Sequence, residues 1–354
     1  MPLWTWLVPA LSLGLLAAAA WAGVGIVLGI FCGVALIASV IAAVHHAEVV
    51  AHRVGEPLGT LVLALAVTAI ETALILSMMI AGGKETATLP RDTIYAAVMI
   101  ICNGVVGICV LLGGLAHGEQ TFRVEGAGAG LAALIVMSAL TLVLPVFTTS
   151  TGPGTYNSAQ LSFVAVSSAV LWAIFVFIQT VRHRDYFIPL DDGAHDAHAE
   201  PSTARMARAS FGLLFLSLVA VVGLAKMLSP SIERAVDAAH APRVVVGIVI
   251  AALVLLPEAW AAVRSARANR LQGSMNLAIG SALASIGLTV PIVVLLSITL
   301  QLPLVLGLQP KDMGLLILTF LVSAVTLGTG RTYMMQGAVH LVVFAAFLFL
   351  ALVP

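Results

Sequence analysis

"LAVTAIETALILSMMI" spans residues 65 to 80, and its single ionisable side chain, Glu71, stands among apolar neighbours. A membrane-spanning helix needs about 20 predominantly apolar residues, and this run lies inside a longer stretch of that kind. Inserting a charged residue at the middle of such a helix costs about 2.5–3.5 kcal/mol. A chain that keeps a carboxyl group at that cost has either a functional use for it or a partner that neutralises it.

The composition extends the membrane interpretation to the whole chain. Of the 354 residues, 61% are apolar and only 9% are charged, whereas a soluble domain carries roughly 25% charged residues. Lys and Arg number 16, as do Asp and Glu, so no basic excess favours nucleic acid as a partner. The three cysteines all lie in apolar runs and show neither a disulfide framework nor a metal-binding spacing. The lipid bilayer is therefore the expected partner.

Eleven apolar stretches are long enough to be membrane spans. They cover residues 5–22, 24–44, 58–80, 94–115, 127–148, 160–181, 211–228, 243–263, 275–300, 312–328 and 335–352. Backbone groups cannot stay unpaired in hydrocarbon, and these runs lack the strict alternation of a membrane barrel. The sequence thus predicts an all-α polytopic membrane protein with about eleven transmembrane helices.

The distribution of Lys and Arg predicts the orientation. With a cytoplasmic N-terminus, ten basic residues fall in cytoplasmic loops and six in the opposite loops. Cytoplasmic loops carry the excess of basic residues in membrane proteins. We therefore expect a cytoplasmic N-terminus and a periplasmic C-terminus.

A long polar segment, residues 182 to 208, follows the sixth span. The simplest interpretation is a solvated cytoplasmic linker, residues 182–210, between two membrane halves. A second interpretation is a weak regulatory cation site, because carboxylate oxygens suit hard cations. Its ligands would be the acidic residues Asp191, Asp192, Asp196 and Glu200, with His195 and His198 nearby.

A second carboxyl group, Glu258, lies in the apolar part of the eighth span, directly after Pro257. The third and eighth spans are five crossings apart and thread the membrane in opposite directions. Two five-helix halves of opposite orientation form an inverted repeat, whose substrate site lies at the repeat interface near the midplane. We expect a leading helix, residues 1–23, then repeats at residues 24–181 and 211–354.

The two glutamates suggest a specific chemistry. Removal from water favours the neutral, protonated carboxyl group, while a bound cation restores the carboxylate. A proton and a metal ion would then compete for Glu71 and Glu258, and this competition is the chemistry of antiport. Further oxygen ligands near them are Thr68, Asn103, Ser281 and Ser285. Each of these is equally typical of helix–helix packing, where small polar residues are common.

Two segments carry a family resemblance. "AEVVAHRVGEPLGTLVLALAVTAIETALI" (47–75) and "LPEAWAAVRSARANRLQGSMNLAIGSALASIGLTVPIV" (256–293) resemble the signature regions of bacterial ChaA-type calcium/sodium–proton antiporters. These belong to the cation/proton exchanger branch of the cation/calcium exchanger superfamily. The resemblance implies one leading helix, two inverted five-helix repeats, and one central ion-binding glutamate per repeat, here Glu71 and Glu258. It also implies a bacterial inner-membrane location.

The chain departs from the wider family at several positions. The family's Gly-Asn pair before each glutamate is replaced by Val67-Thr68 and Val254-Leu255. The Gly-Ser pair after the second glutamate is kept as Gly280-Ser281, but a following Gln is replaced by Ala284. In the first half the family's Ser-Asn becomes Cys102-Asn103, which keeps Asn103 as a candidate ligand.

The segment "HHAEVVAH" (45–52) resembles one histidine box of a di-iron membrane enzyme. Such an enzyme needs several boxes, and the other histidines are scattered, so we do not expect an enzyme. One interpretation is an interfacial helix end; another is an ion entry with pH-sensing histidines, since His titrates near neutral pH. The entry residues would be His45, His46, Glu48, His52 and Glu56.

The sequence therefore predicts a secondary active antiporter that exchanges cytoplasmic Ca²⁺ or Na⁺, with K⁺ as an alternative, for external protons. It contains no nucleotide-binding signature, so we expect no cofactor beyond the transported ions. Two other classes stay open: a passive cation channel and a proton-coupled exporter of organic solutes. A channel would use rings of ligands from an oligomer. A pocket for organic solutes would be expected to contain more aromatic residues than the 6% present.

Overall fold

The computed structural model describes residues 2–54, 58–187, 203–238, 242 and 244–353. Within them the chain forms the helices α1 (Trp4–Ala22), α2 (Ile26–Val54), α3 (Leu58–Gly82), α4 (Leu89–Met99), α5 (Val106–His117), α6 (Val124–Ser138), α7 (Ser158–Phe177), α8 (Ala204–Ala238), α9 (Val244–Arg267), α10 (Leu271–Leu300), α11 (Pro310–Leu327) and α12 (Met334–Leu352). The strands β1 (Gln120–Thr121) and β2 (Arg331–Thr332) form one antiparallel pair.

Shorter helical turns extend or interrupt these helices. Turns of π-helix cover Ile100–Val105, Ala139–Val143 and Ile178–Arg182, and 3₁₀ turns cover Gly83–Thr86, Leu144–Val146 and Arg184–Phe187. The first π-helical turn joins α4 to α5 in one continuous crossing, Leu89–His117. Turns of this kind interrupt the regular hydrogen-bond ladder and are frequent at functional sites.

Eleven helical segments of the described residues are long and apolar enough to cross a membrane, so the predicted number is confirmed. Their ends differ from the prediction where helices continue past the apolar run. α2 reaches Val54 instead of ending at residue 44, and α8 begins at Ala204 instead of residue 211. Polar side chains do not end a helix, because the backbone hydrogen bonds continue into the interfacial region.

The helices group into two compact units. One unit contains α1, α2, α3 and α8, and the other contains α4 to α7 together with α10 to α12 and α9 from Gly247 onwards. Each unit therefore takes helices from both halves of the sequence. The units are defined by contacts between helices and not by repetition along the sequence. They therefore do not test the predicted repeat boundaries, which stay a prediction.

In the first unit, α2 packs along α8, and both contact α1 and α3. The leading helix α1 approaches α8 closely because Gly223 leaves space for Leu16. A polar contact also ties α3 to α8, since the Ser77 hydroxyl donates to the Val222 carbonyl over 3.0 Å. In a lipid environment, close approach at small residues and hydrogen bonds between helices supply the attraction that the hydrophobic effect supplies in water.

In the second unit, α5 packs against α12, and α10 packs against α6 and α7. Glycines set the closest approaches between these helices. A Cβ atom on Gly337 would collide with the backbone nitrogen of Leu111 and would lie 2.8 Å from the Gly107 carbonyl oxygen. The α5–α12 backbones therefore touch directly, as small residues allow in membrane helix pairs.

Two pairs of connections close the ends of the second unit. In one pair, β1 joins β2, with Gln120 opposite Thr332. In the other, the amides of Leu306 and Gly307 donate to the Gly154 carbonyl over 3.0 and 2.9 Å. Gly154 has φ +75°, a backbone conformation that favours glycine.

The connection around Gly154 is further fixed by its neighbours. Asn157 caps α7 by accepting from the Gln160 amide over 2.9 Å. The Tyr156 hydroxyl donates to the Leu140 carbonyl over 2.8 Å. Burial raises the pKa of Tyr156 to about 12, so this donor keeps its proton at neutral pH.

These pairings have the symmetry that an inverted repeat requires. The crossings are counted along the chain, with α4 and α5 together as the fourth. The β1–β2 pair then joins the connections that follow the fourth and tenth crossings, and the Gly154 pair joins those that follow the ninth and fifth. A shift by five crossings converts one pair into the other. The same shift converts the α5–α12 contact into the α10–α7 contact. The predicted repeat is compatible with this pattern and stays a prediction.

We expect Gly337→Ala to lower the stability of the protein. The added methyl group cannot be accommodated without separating α5 from α12, and overpacking of this kind costs about 1–3 kcal/mol. The thermal unfolding midpoint in detergent measures the effect. Gly314→Ala on α11 is the matched control, because nothing lies within 4 Å of its added Cβ atom. Equal midpoints for the two variants would contradict the close contact.

Candidate ion-binding site

Glu71 lies on the buried side of α3, where only 3% of the residue is exposed. Thr68 is one turn before it and Thr72 is its neighbour, and both are also buried. Residues three or four apart share one face of a helix. α3 therefore presents a carboxyl group and a hydroxyl group on the same buried face, and these are oxygen ligands of the type that hard cations use.

Glu258 lies in α9 and is half-buried. Pro257 precedes it inside the helix. Proline has no N–H, so it cannot bond the carbonyl group of Leu253 one turn earlier. α9 thus combines a carboxyl group with an interruption in the backbone ladder, a combination that is tolerated in membranes where protein or a water-filled cavity covers the backbone.

Asn103 is fully buried in the π-helical turn Ile100–Val105. Its Nδ2 donates to the Thr319 hydroxyl on α11 over 2.9 Å, and its Oδ1 lies 3.2 Å from His340 Nδ1 on α12. Both ends of the carboxamide therefore have protein partners. A carbonyl-type oxygen has two lone pairs, so Oδ1 keeps one acceptor position beyond His340.

Ser281 and Ser285 lie one turn apart on α10. Ser285 is 2% exposed, while Ser281 is half-buried. Their spacing of four residues places both hydroxyl groups on one face of the helix. This face supplies hydroxyl oxygens in the second unit, as Thr68 does in the first.

The predicted ligands divide between the two units. Glu71 and Thr68 belong to the first, while Glu258, Asn103, Ser281 and Ser285 belong to the second. Among the residues that the structure describes, no three His, Cys, Asp or Glu side chains form a group that could hold a metal ion.

The histidine-rich end of α2 contains one buried and two less buried imidazoles. His46 is fully buried, with Nε2 2.9 Å from the Thr5 carbonyl oxygen and Nδ1 3.4 Å from the Ser210 hydroxyl. His45 is half-buried against the Trp4 ring, at a centroid distance of 5.2 Å. Since a carbonyl oxygen only accepts, His46 Nε2 carries a proton and holds α1 against α2.

Other predicted entry residues are exposed or lie outside the described residues. Glu48 and His52 are exposed on α2. Glu56 lies outside the described residues, as do Asp191, Asp192, Asp196 and Glu200 of the predicted regulatory loop. Roles in ion entry and regulation stay predictions.

A buried histidine and its threonine partners were not among the predicted site residues. His340 of α12 is fully buried, and its Nε2 lies 3.0 Å from the Thr326 hydroxyl on α11. The signal that would have identified it is the one that identified Glu71, an ionisable residue in an apolar run, "MMQGAVHLVVFAAFLFL". Such residues inside membrane helices are functional candidates by default.

Comparison with known proteins gives consistent results over nearly the whole chain. The profile of the sodium/calcium exchanger protein family matches residues 21–181 and 209–353. The protein y4hA of Sinorhizobium fredii (strain NBRC 101917 / NGR234) is 46% identical, and the match covers 100% of this chain and 97% of y4hA. The sodium-potassium/proton antiporter ChaA of Escherichia coli (strain K12) is 35% identical, over 89% of this chain and 86% of ChaA. The solved structure of the Ca²⁺/H⁺ antiporter YfkE is similar with a TM-score of 0.73 and 14% identity and covers 99% of both chains, which shows a shared fold.

We expect His46→Ala to loosen the first turns of α1. The substitution leaves the buried Thr5 carbonyl without its donor, and an unsatisfied buried group costs about 1–3 kcal/mol. Hydrogen exchange of the amides of residues 4–12 should become faster, as mass spectrometry can measure. His52→Ala is the control, since His52 is exposed on the same helix. If both variants exchange like the unmodified protein, His46 does not hold α1.

Proposed function

The chain belongs to the sodium/calcium exchanger protein family, and we propose that it is a secondary active antiporter that exchanges cations for protons. The observation that carries the proposal is the pair of glutamates in membrane helices, Glu71 beside buried hydroxyls in α3 and Glu258 behind Pro257 in α9. The family is one of transporters, and the chain is a multi-pass membrane protein, so an enzyme activity is not needed to explain these carboxyl groups.

The proposed substrates are Na⁺, K⁺ and Ca²⁺. ChaA is named as a sodium-potassium/proton antiporter, and it is 35% identical to this chain. YfkE, which shares the fold, is named as a Ca²⁺/H⁺ antiporter. All three cations take oxygen ligands, so the carboxyl, hydroxyl and amide groups described above suit each of them.

The proposed mechanism is competition for carboxylate oxygens. In a water-poor site the carboxyl group is stable when protonated or when a cation neutralises it, and one group cannot hold both comfortably. Glu71 and Glu258 would alternate between H⁺ and the cation. Thr68, Asn103, Ser281 and Ser285 would supply further oxygens. Release of one ion would favour binding of the other, which couples the two fluxes.

Access from alternate sides would come from an inverted repeat of two five-helix halves. The five-crossing symmetry of the loop and helix pairs in the second unit supports this proposal. We further propose that the protein lies in a bacterial inner membrane with a cytoplasmic N-terminus. The ten-to-six distribution of Lys and Arg between the two sets of loops supports that orientation.

We expect Glu71→Gln and Glu258→Gln each to abolish cation-dependent dissipation of a pH gradient in everted membrane vesicles. Glutamine is nearly the same size but carries no exchangeable charge, so it cannot alternate between proton and cation. The dye-reported pH gradient, followed after additions of NaCl, KCl or CaCl₂, measures the effect.

The matched control for these variants is Glu119→Gln. The Glu119 side chain is 54% exposed and pairs with Arg331 across 3.3 Å at the surface, and such exposed pairs contribute little to stability. The control should transport like the unmodified protein. Full transport by either Glu71→Gln or Glu258→Gln would end the proposed mechanism.

Flux coupling distinguishes the antiporter from the two other classes. An antiporter in proteoliposomes should take up protons when a cation gradient drives it and take up cations when a pH gradient drives it, with saturation by either ion. A passive channel would conduct the cation without moving protons in exchange. An exporter of organic solutes would leave the pH gradient unaffected by inorganic cations. Either of those results would replace the proposed activity.

A further inference from the structure

Four buried side chains of the second unit form one continuous hydrogen-bonded chain. Thr326 Oγ1 lies 3.0 Å from His340 Nε2, and His340 Nδ1 lies 3.2 Å from Asn103 Oδ1. Asn103 Nδ2 then donates to Thr319 Oγ1 over 2.9 Å. His340, Asn103 and Thr319 are fully buried, and Thr326 is 2% exposed. The chain links α11, the π-helical turn and α12.

Thr319, at one end of this hydrogen-bonded series, determines which atom donates and which accepts in each of its bonds. The Thr319 hydroxyl donates to the Leu315 carbonyl over 2.8 Å, with the Met99 sulfur as a second acceptor at 3.3 Å. Neither a carbonyl oxygen nor a thioether donates, so the only hydroxyl proton of Thr319 is used there. Thr319 must therefore accept from Asn103, which identifies the facing amide atom as nitrogen.

The remaining directions follow from that assignment. Asn103 Oδ1 faces His340, so His340 Nδ1 must donate its proton to it. In the neutral imidazole the other nitrogen, Nε2, is then an acceptor, and the Thr326 hydroxyl donates to it. Every hydrogen-bonding position along the chain is consistent with a neutral His340.

The packing around His340 leaves room for this arrangement. A Cβ atom on Gly107 would lie 3.0 Å from the Cβ atom of His340. A Cβ atom on Gly104, beside Asn103, would lie 3.3 Å from the Phe344 ring. The two glycines therefore let α12 approach the π-helical turn closely enough for His340 to reach Asn103.

We infer that His340 is a positioning residue of the ion site: its Nδ1–H holds the Asn103 carboxamide with the oxygen, not the NH₂ group, available to a cation. This inference rests on the proposed function, in which Asn103 supplies an oxygen ligand. A reversed carboxamide would present positively polarised N–H groups to the cation. His340 thus sets cation affinity through the orientation of Asn103.

Two substitutions at His340 separate this role from a general structural one. In His340→Asn, the side-chain NH₂ group occupies nearly the position of Nδ1–H and still donates to Asn103 Oδ1. In His340→Gln, the longer side chain places its amide near the position of Nε2, so it meets Thr326 and loses Asn103. Neither variant titrates, so any difference between them is not a loss of a proton site.

The measurement is the KM and kcat for Na⁺, K⁺ and Ca²⁺ of each purified variant in proteoliposomes. Loss of a group that orients a metal ligand typically costs about 10–100-fold in affinity. We expect His340→Gln to raise KM by about that factor, with a smaller change in kcat, while His340→Asn keeps most of the affinity. Equal KM changes in the two variants, or no change in either, would overturn the inference.

Thr319 gives a second test from the other end of the chain, should His340→Gln fail to fold. Thr319→Val removes the acceptor of Asn103 Nδ2 at constant side-chain size, and Thr319→Ser keeps it. We expect KM to rise in the valine variant only. Equal KM values would overturn the inference.

The glutamate variants separate failure of this inference from failure of the proposed function. If Glu71→Gln and Glu258→Gln transport normally, the proposed function fails as well. If they are inactive and only the His340 and Thr319 results are negative, the inference alone fails.

Discussion

The absence of water in the hydrocarbon core is the constraint on which this structure depends. Every backbone N–H and C=O at that depth must be bonded inside the protein, and the described chain meets this demand with long helices. Within the described residues, prolines lie inside α1, α8, α9 and α10, and π-helical turns interrupt three of the crossings. Among these are Pro257 inside α9 and the turn Ile100–Val105, which is buried throughout. Two of the predicted ligands lie at such interruptions, Glu258 after Pro257 and Asn103 inside the turn Ile100–Val105.

The same constraint separates two kinds of polar side chain in the membrane helices. His46 and Asn103 have protein partners at both ends of their polar groups, and these partners tie helices together. Glu71 and Glu258 are carboxyl groups in apolar helices, where the charged form is costly. A side chain of the first kind is held in one orientation, and Asn103 in that orientation still keeps one acceptor position on its oxygen. One of the second kind suits an exchanged ion, because a proton or a cation neutralises the charge in turn.

Membership in the sodium/calcium exchanger protein family and the internal symmetry of the second unit support the same proposal. The loop pairs at Gly154 and at β1–β2 are related by a shift of five crossings. The predicted opposite threading of the third and eighth spans would follow from the same shift of five crossings. The hydrogen-bonded side chains from Thr326 to Thr319 end on the Leu315 carbonyl oxygen, which can only accept a hydrogen bond. That end therefore fixes which atom donates in each of their bonds.

The sequence by itself determined the class of fold and the number of crossings, and it marked Glu71 and Glu258 as candidate site residues, because hydropathy and isolated charges are local properties. It placed the end of α2 and the start of α8 several residues inside their helices, since apolar runs end before backbone hydrogen bonding does. It could not show that Asn103 bonds His340 and Thr319, which lie more than 200 residues away along the chain. That partnership, and the burial of His46 against Thr5 and Ser210, arise only when helices pack, because hydrogen bonds between side chains depend on distances in space and not on spacing along the sequence.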